Sequence, residues 1–325
     1  MRRFIKGMAS AAVLAASTLG VAAQEFPSRV VTIVVPFAAG GPSDSIARLL
    51  AQSMSATLKQ QVIVENVAGA GGTTGAARVA KAEPDGHTLL IHHVALPAGP
   101  ALYKNLTYDT RTAFEPIGLV NTGPMVLISK KDHPAKDAKE LFAHLKKNGD
   151  KELIATAGVG SNSHLCGVLL GQSLGFKPSF VAYRGTGPAM NDVVAGQVDL
   201  LCDQSTTAVP QIEGGTVRAH AVTAKERLDV IKNVPTAAES GLPALDFTIW
   251  HGLYAPQGTP KERIAILHAA LQKALADPTV VERFKAVGTT VYPESERSPE
   301  AHRARFLAEI DRIASLMKAA GVEPQ

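Results

Sequence analysis

Four times along this chain an apolar, β-branched run passes into a loop of glycine with serine or threonine, and then into a helical pattern. Strands buried on both faces and separated by helices do not pair as hairpins; they align in parallel beneath the helices. Residues 29–37 (RVVTIVVPF) begin the series, followed by Ala38, Ala39, Gly40, Gly41 and Pro42 and a helix for which Ser43 and Asp44 are N-cap candidates. Residues 61–67 lead into a glycine loop at 69–75 containing Gly72 and Thr73, then a helix at 76–82, a turn at 83–86 and a strand at 87–94. The plan then returns, with strands at 114–120 and 125–129, a helix at 135–147 and a strand at 152–157. That strand enters the loop Gly158 to Ser163 and a helix from His164; a strand at 180–183 enters Arg184, Gly185, Thr186 and another helix. Strands at 198–202, 217–223 and 247–254 follow, and two helices close the chain, one between Pro260 and Asp277 and one between Pro299 and Gly321. The sequence therefore predicts two α/β units, each with its own glycine loops.

The first residues do not belong to that pattern. Arg2, Arg3 and Lys6 precede an uncharged run of small apolar residues at 8–21, and Val21 and Ala23 suit a signal-peptidase site. This is the layout of a cleaved export signal over residues 1–23, too short for a membrane span and lacking a polar face for an amphipathic helix. Its removal changes the charge. The full chain has 33 basic and 29 acidic residues, +4, and the signal carries three of the basic ones and no acid, so the mature chain stands at +1. No basic cluster remains to meet a nucleic acid. Sixteen aromatics are too few for a base- or sugar-stacking surface. Two cysteines, Cys166 and Cys202, enter an oxidising compartment as an even pair, which predicts a disulfide over two buried thiols.

In an open α/β sheet, loops at the carboxyl ends of the strands form the ligand site. Glycine lets the backbone approach closely, free N–H groups at a helix start favour an anion, and hydroxyls add donors without charge. Loops from two units facing each other make a cleft for a small molecule with one or two negative groups. Catalytic readings fail one by one. There is no G-x-x-x-x-G-K-[ST], and the loop at 69–75 has Thr74 where a dinucleotide fingerprint needs its third glycine. Ser161 is flanked by Val159 and Ser163 rather than by the glycines of a nucleophile elbow. His92 and His93 are neighbours on a strand and so point to opposite faces; at most one meets a given site, with His93 the candidate ligand contact and His92 the alternative. No metal-ligand spacing accompanies them, so neither a metal nor a cofactor is expected. Arg184 can bind a carboxylate or pair with Asp203. Asp44 and Asp203 can cap a helix, hold water or accept an ammonium group. Trp250 is core, hinge or cleft wall. None of these residues forms a nucleophile–base–orienter set.

The strings VPFAAGGPSDSIAR, VENVAGAGGTTGAARVAKAEPDGHTLL, FEPIGLV, GVGSNSHL, YRGTGPAMNDVVAGQVDL and WHGLYAPQGTP, in this order and spacing, resemble the Bug-type extracytoplasmic solute receptors of tripartite tricarboxylate transporters. The resemblance covers essentially the whole mature chain. It implies an α/β, two-domain fold like the type II periplasmic binding proteins, with an interdomain ligand cleft. Domain 1 would comprise residues 24–122 and 248–325, and domain 2 residues 123–247, with crossings near Thr122 and Phe247. It implies a periplasmic monomer that is not an enzyme. It would capture a small carboxylate (a dicarboxylate, aromatic acid or acidic amino acid) by hinge closure and deliver it to the membrane subunits of the transporter. Carried over by motif, the ligand would meet Ala38, Gly40, Gly41, Ser43, Asp44, Gly72 and Thr73 on one side. On the other it would meet Ser161, Asn162, Ser163, His164, Arg184, Gly185, Thr186 and Asp203. The stretch IHHVALPAGP departs from the commonest pattern, which has small polar residues there. The remaining readings are an exported hydrolase-like enzyme and a receptor used for signalling rather than uptake.

Overall fold

The structure is a computed structural model that describes residues 25–319 and 321–324. The predicted export signal lies outside the described residues. In chain order the first unit runs β1 (Val31–Val35), α1 (Pro42–Leu58), β2 (Val62–Asn66), α2 (Thr73–Ala80), β3 (Thr88–His93) and α3 (Ala95–Leu102). The long strand β4 (Phe114–Lys130) leads to α4 (Ala138–Asn148), β5 (Leu153–Thr156), α5 (Asn162–Leu174), β6 (Ser179–Ala182), α6 (Thr186–Val194), β7 (Leu200–Gln204), α7 (Ser205–Glu213) and β8 (Val217–Val222). Then come β9 (Thr248–Pro256), α8 (Lys261–Ala276), α9 (Pro278–Ala286), β10 (Thr290–Val291) and α10 (Pro299–Ala319).

The strand order is β2-β1-β3-β9-β4-β7-β5-β6, with β8 and β10 also pairing with β4. Two parallel runs, β2-β1-β3 and β7-β5-β6, are joined by antiparallel ladders through β9 and β4. The sheet is therefore mixed, where the β–α alternation alone predicts a parallel one.

The alternation along β1 shows how both faces are covered. Ile33 and Val35 pack with Ile46, Leu50 and Met54 of α1 and Leu267 and Leu271 of α8. Val34 belongs to the opposite layer, with Val79 of α2, Leu96 of α3 and Phe306, Ile310 and Ile313 of α10. A third cluster joins Val126 and Ile128 to Ala189 and Val193 of α6 and Ala208 and Val209 of α7.

The largest departure from the sequence reading is β4. Gly123-Pro124 reads as a turn between two strands, yet 17 residues form one strand. Residues up to Pro124 pair with β9, and from Met125 onward with β7 and β8. Proline has no N–H to give a ladder, and it falls at the residue where β4 changes partners. Three helices also escape the pattern. Helix α3 (ALPAGPAL) contains Pro100 and is apolar all round, because it is buried rather than amphipathic. Helix α7 follows β7 without an intervening loop. Asp277-Pro278 ends α8 and also starts α9, the Asp277 carboxylate accepting from Thr279 N at 2.9 Å.

Cys166 of α5 and Cys202 of β7 are fully buried and form the predicted disulfide, with Cα atoms 6.2 Å apart. The bond closes a separation of 36 residues, so its loss removes about 3–4 kcal/mol in the chain-entropy account. Thiol titration of the unfolded, unreduced protein is expected to find no free cysteine, and denaturant unfolding with reductant to show that loss.

Candidate functional site

The first turns of four helices meet at one buried cavity. Helix α1 enters with Gly41 and Pro42, and Ser43 and Asp44 follow in its first turn. Helix α5 is capped by Ser161, whose hydroxyl accepts from His164 N, and presents Asn162 and Ser163. Thr186 opens α6, and Gln204 precedes α7. Each start offers N–H groups without intrahelical partners. The cavity is small: the space open to the centre of a water-sized sphere is about 20 Å³, room for a water or two.

Ten of the residues predicted from the sequence line it: Ala38, Gly41, Ser43 and Asp44 on the first unit, with His93, and Ser161, Asn162, Ser163, Thr186 and Asp203 on the second. The others lie outside it. Gly40 gives its N–H to Asp44 at 3.1 Å and borders a groove beside α6 and α7. Gly72 packs over the His92 ring, and Thr73 bonds Ala70 O at 2.9 Å. His164 turns its ring to Phe180, 4.7 Å between centroids, and accepts from Gly160 N. The Arg184 side chain is exposed, and no ion pair joins it to Asp203 among the described residues. Phe37, Pro42, Met125, Ala157 and Gln204 complete the wall without having been singled out. Phe37, Pro42 and Gln204 adjoin predicted site residues in the chain and Ala157 ends the predicted strand before the Gly158 loop, whereas Met125 arrives only through the continuity of β4.

Arg184 and Gly185 have a different place. Ala38 N donates to Arg184 O at 3.0 Å across the two units. A Cβ on Gly185 would stand 2.8 Å from Ala38 N, and one on Gly187 2.5 Å from Ala39 O. A second crossing brings Gly71 against Val159, where a Cβ would lie 1.8 Å from the carbonyl oxygen, and Tyr103 Oη donates to the same oxygen at 2.6 Å. Glycine is needed here so that backbone can meet backbone. The two crossings bring backbone of one unit against backbone of the other, the first of them at Ala38 on the cavity wall.

No lysine or arginine lines the cavity. Arg48 is spent on Asp44, donating at 3.0 and 2.9 Å, while Asn66 and Gly40 N complete the carboxylate's shell. Burial pushes the Asp44 carboxyl up, but these hydrogen bonds outweigh it and hold the group below the usual range. His93 is kept neutral by burial and by its neighbours His92 and His251, which burial holds at about 3. Asp203 is fully buried, and burial lifts it to about 6 against hydrogen bonds from Thr207, Gln204 N and Thr186. Several polar atoms here have no partner among the described residues: Asp203 Oδ1, Gln204 Oε1, His251 Nδ1 and both side-chain atoms of Asn162. Buried polar atoms left this way are the ones a ligand or water satisfies.

A family model described as "Tripartite tricarboxylate transporter family receptor" matches residues 46–321. The chain belongs to this family. A protein of Agrobacterium vitis, described as "UPF0065 protein in the TAR-I ttuE-ttuC' intergenic region", is 46% identical over 98% of this chain and 92% of its own length. A solved structure titled "Structure of periplasmic binding protein BugD" has TM-score 0.89 and 47% identity over 92% of this chain and 100% of that one. MatC from Rhodopseudomonas palustris, solved with bound malate, has TM-score 0.86 and 41% identity over 90% and 99%. The protein is thus a solute-binding receptor by family, with the α/β architecture of periplasmic binding proteins.

Two outcomes follow from the geometry of this receptor. Gly185 has an extended backbone open to any residue, so Gly185→Ala leaves each unit intact and obstructs only its contact with Ala38. With overpacking at about 1–3 kcal/mol, ligand affinity is expected to fall about tenfold or more, and X-ray scattering to report a more open molecule. Asp203 binds its proton more tightly folded than unfolded, since its folded value of about 6 exceeds the ordinary 3.8. Its contribution therefore falls as pH rises from 4 to 6 and is level above, a loss of about 3 kcal/mol. Asp203→Asn is expected to gain up to that much at pH 8 and little at pH 4, read by chemical denaturation.

Proposed function

We propose that the receptor captures a small organic carboxylate in this cavity, in the periplasm, and hands it to the membrane subunits of a tripartite tricarboxylate-type transporter. The observation that carries the reading is the convergence of four helix N-termini on a buried space with no basic side chain. Such a site stabilises a carboxylate with N–H groups, the Asn162 amide and hydroxyls, and the charge is spread over helix dipoles rather than met by a cation. The malate held by MatC supports carboxylate as the ligand class, and the family description supports the transporter as the partner.

Capture and release follow from the connections. The proposed moving bodies are residues 24–122 with 248–325, and residues 123–247. They are linked where β4 changes partners and where Thr223 bonds Phe247 O at 2.6 Å and Met125 N at 3.0 Å. Opening breaks the glycine contacts and exposes both halves of the cavity; a bound carboxylate brings the helix starts back together. The chain works as a monomer in this scheme, since both halves of the site are its own.

One pair invites a hydrolase reading. Ser43 Oγ and His251 Nε2 are 3.0 Å apart. An activated serine needs its histidine oriented by a further group at the other nitrogen, and His251 Nδ1 has no partner among the described residues.

The test is a melting screen of the mature protein against carboxylic acids and amino acids. A ligand at 100 times its Kd is expected to stabilise by about 2.7 kcal/mol. If no carboxylate moves the transition while ester or amide turnover is detected, the receptor of this reading is an enzyme instead.

A further inference from the structure

One acid on the cavity wall has no cation to answer it. Asp203, next to last in β7, is fully buried. Its Oδ2 accepts from the Thr207 hydroxyl, and Gln204 N and Thr186 also bond the carboxyl. All of these donors are neutral. Oδ1 has no partner among the described residues, where a buried acceptor ordinarily has one.

The charged and titratable groups on the elements around it are engaged elsewhere or uncharged. On α1, Asp44 is paired with Arg48. On β3 and β9, burial and its neighbours hold His93 well below its ordinary value, and burial holds His251 at about 3. On α5, burial lowers His164 to about 4, and its ring turns to Phe180. On α6, Asp192 accepts from the Tyr183 hydroxyl at 2.6 Å. Helix α7 has Glu213 only at its far end. Beside Asp203, the flanking strands β4 and β5 offer Met125, Val126 and Ala155. On β8, Arg218 bonds His133 O and Ala135 O, and His220 bonds Ser129.

A carboxylate held at these helix starts meets Asp203 at close range. Thr186 is both the first residue of α6 and a partner of Asp203, so an anion at that helix start is the acid's neighbour. A cavity this narrow leaves no layer of water to screen the two. Two carboxylates sharing a buried site do not both stay ionised; one keeps a proton. Burial has already lifted Asp203 to about 6, whereas an ordinary carboxylic acid titrates near about 4, so the proton goes to Asp203. The histidines start too far below neutral pH to compete for it. With Oδ2 engaged by Thr207, the free oxygen Oδ1 carries it.

We propose that the receptor captures two things at once: a carboxylate at the helix starts and a proton on Asp203, whose Oδ1–H then donates to the ligand. The proton comes from solvent as the halves close, and opening, which returns water to the acid, releases both. The inference rests on the carboxylate reading above and adds a proton site and a stoichiometry to it.

The test is titration calorimetry of the mature protein with malate, succinate, adipate, benzoate and aspartate at about pH 7.5, repeated in buffers of different ionisation enthalpy. The slope of observed heat against that enthalpy counts protons, and uptake of about one is expected for an acid that binds. Its affinity is expected to fall about tenfold per pH unit from about pH 6.5 to 8, above the titration of the ligand's own carboxyl groups. Below about pH 6 the affinity levels, because Asp203 is then protonated before the ligand arrives. Asp203→Asn supplies a permanent N–H donor, so binding is expected to persist without uptake and with little pH dependence. Thr207→Val removes a bond that favours the ionised acid and is expected to move the level region to higher pH, and it serves alone should Asp203→Asn fail to fold. Binding without buffer-dependent heat overturns the proposal and leaves the carboxylate reading standing; aspartate bound in that way places its ammonium on an ionised Asp203. Uptake that survives in Asp203→Asn, or a pH profile unmoved by Thr207→Val, overturns Asp203 as the proton site. Binding of none of the five acids sinks the carboxylate reading itself, and the proton site with it.

Discussion

Everything in this molecule hangs on one strand being shared. β4 gives its first part to β9 and its second to β7 and β8, so the parallel runs on either side belong to one mixed sheet. Within each run, the helix starts lie at the carboxyl ends of the strands. Because β4 joins the runs through antiparallel ladders, those two edges meet rather than point apart. The cavity is a product of that topology: four first turns arrive together without any of them being specialised in sequence for the purpose. The glycines matter at this point for what they leave out, since two crossings require backbone at distances a Cβ forbids.

The electrostatics of the cavity are unusual for a site read as anion-binding. An arginine would be the obvious device, but Arg48 pairs with Asp44 and also donates to Asn66 rather than lining the cavity. The histidines are neutral. The ionisable group facing inward without a cationic partner, Asp203, has the wrong sign for a carboxylate once ionised, and burial lifts it to about 6. The chain carries that acid at a cost in stability, as functional sites commonly do. A site of fixed neutral donors binds without meeting charge by charge, so closure and release need no buried ion pair to be made or broken.

Much of this was legible in the sequence. The strand–glycine–helix series locates β1, β5 and β6 and the starts of α1, α5 and α6 that face the cavity, because glycine, hydroxyl and N-cap signals are local. Cys166 and Cys202 were readable as a pair from compartment and parity. What the sequence hid was of two kinds. Elements whose cue is tertiary went unseen: α3, helical through burial despite Pro100, and the continuity of β4 past Gly123-Pro124. Residues whose role is contact between halves look like ligand residues in a linear string. Gly185 and Arg184 sit in a glycine loop like the others, yet one meets Ala38 by its missing side chain and the other by its carbonyl. Gly72 covers His92. Conversely Phe37, Met125 and Ala157 enter the wall as apolar residues, which nothing in a sequence distinguishes from core.

The disulfide acquires a further meaning from its position. It ties α5 to β7, and these are the elements that carry Ser161, Asn162 and Ser163 at one end and Asp203 and Gln204 at another. The bond is thus a brace between two walls of one half of the cavity. In a reducing environment the sulfurs stay apart and that half must hold its shape by packing alone. The oxidation that joins the two sulfurs is therefore also the step that fixes the second half of the site.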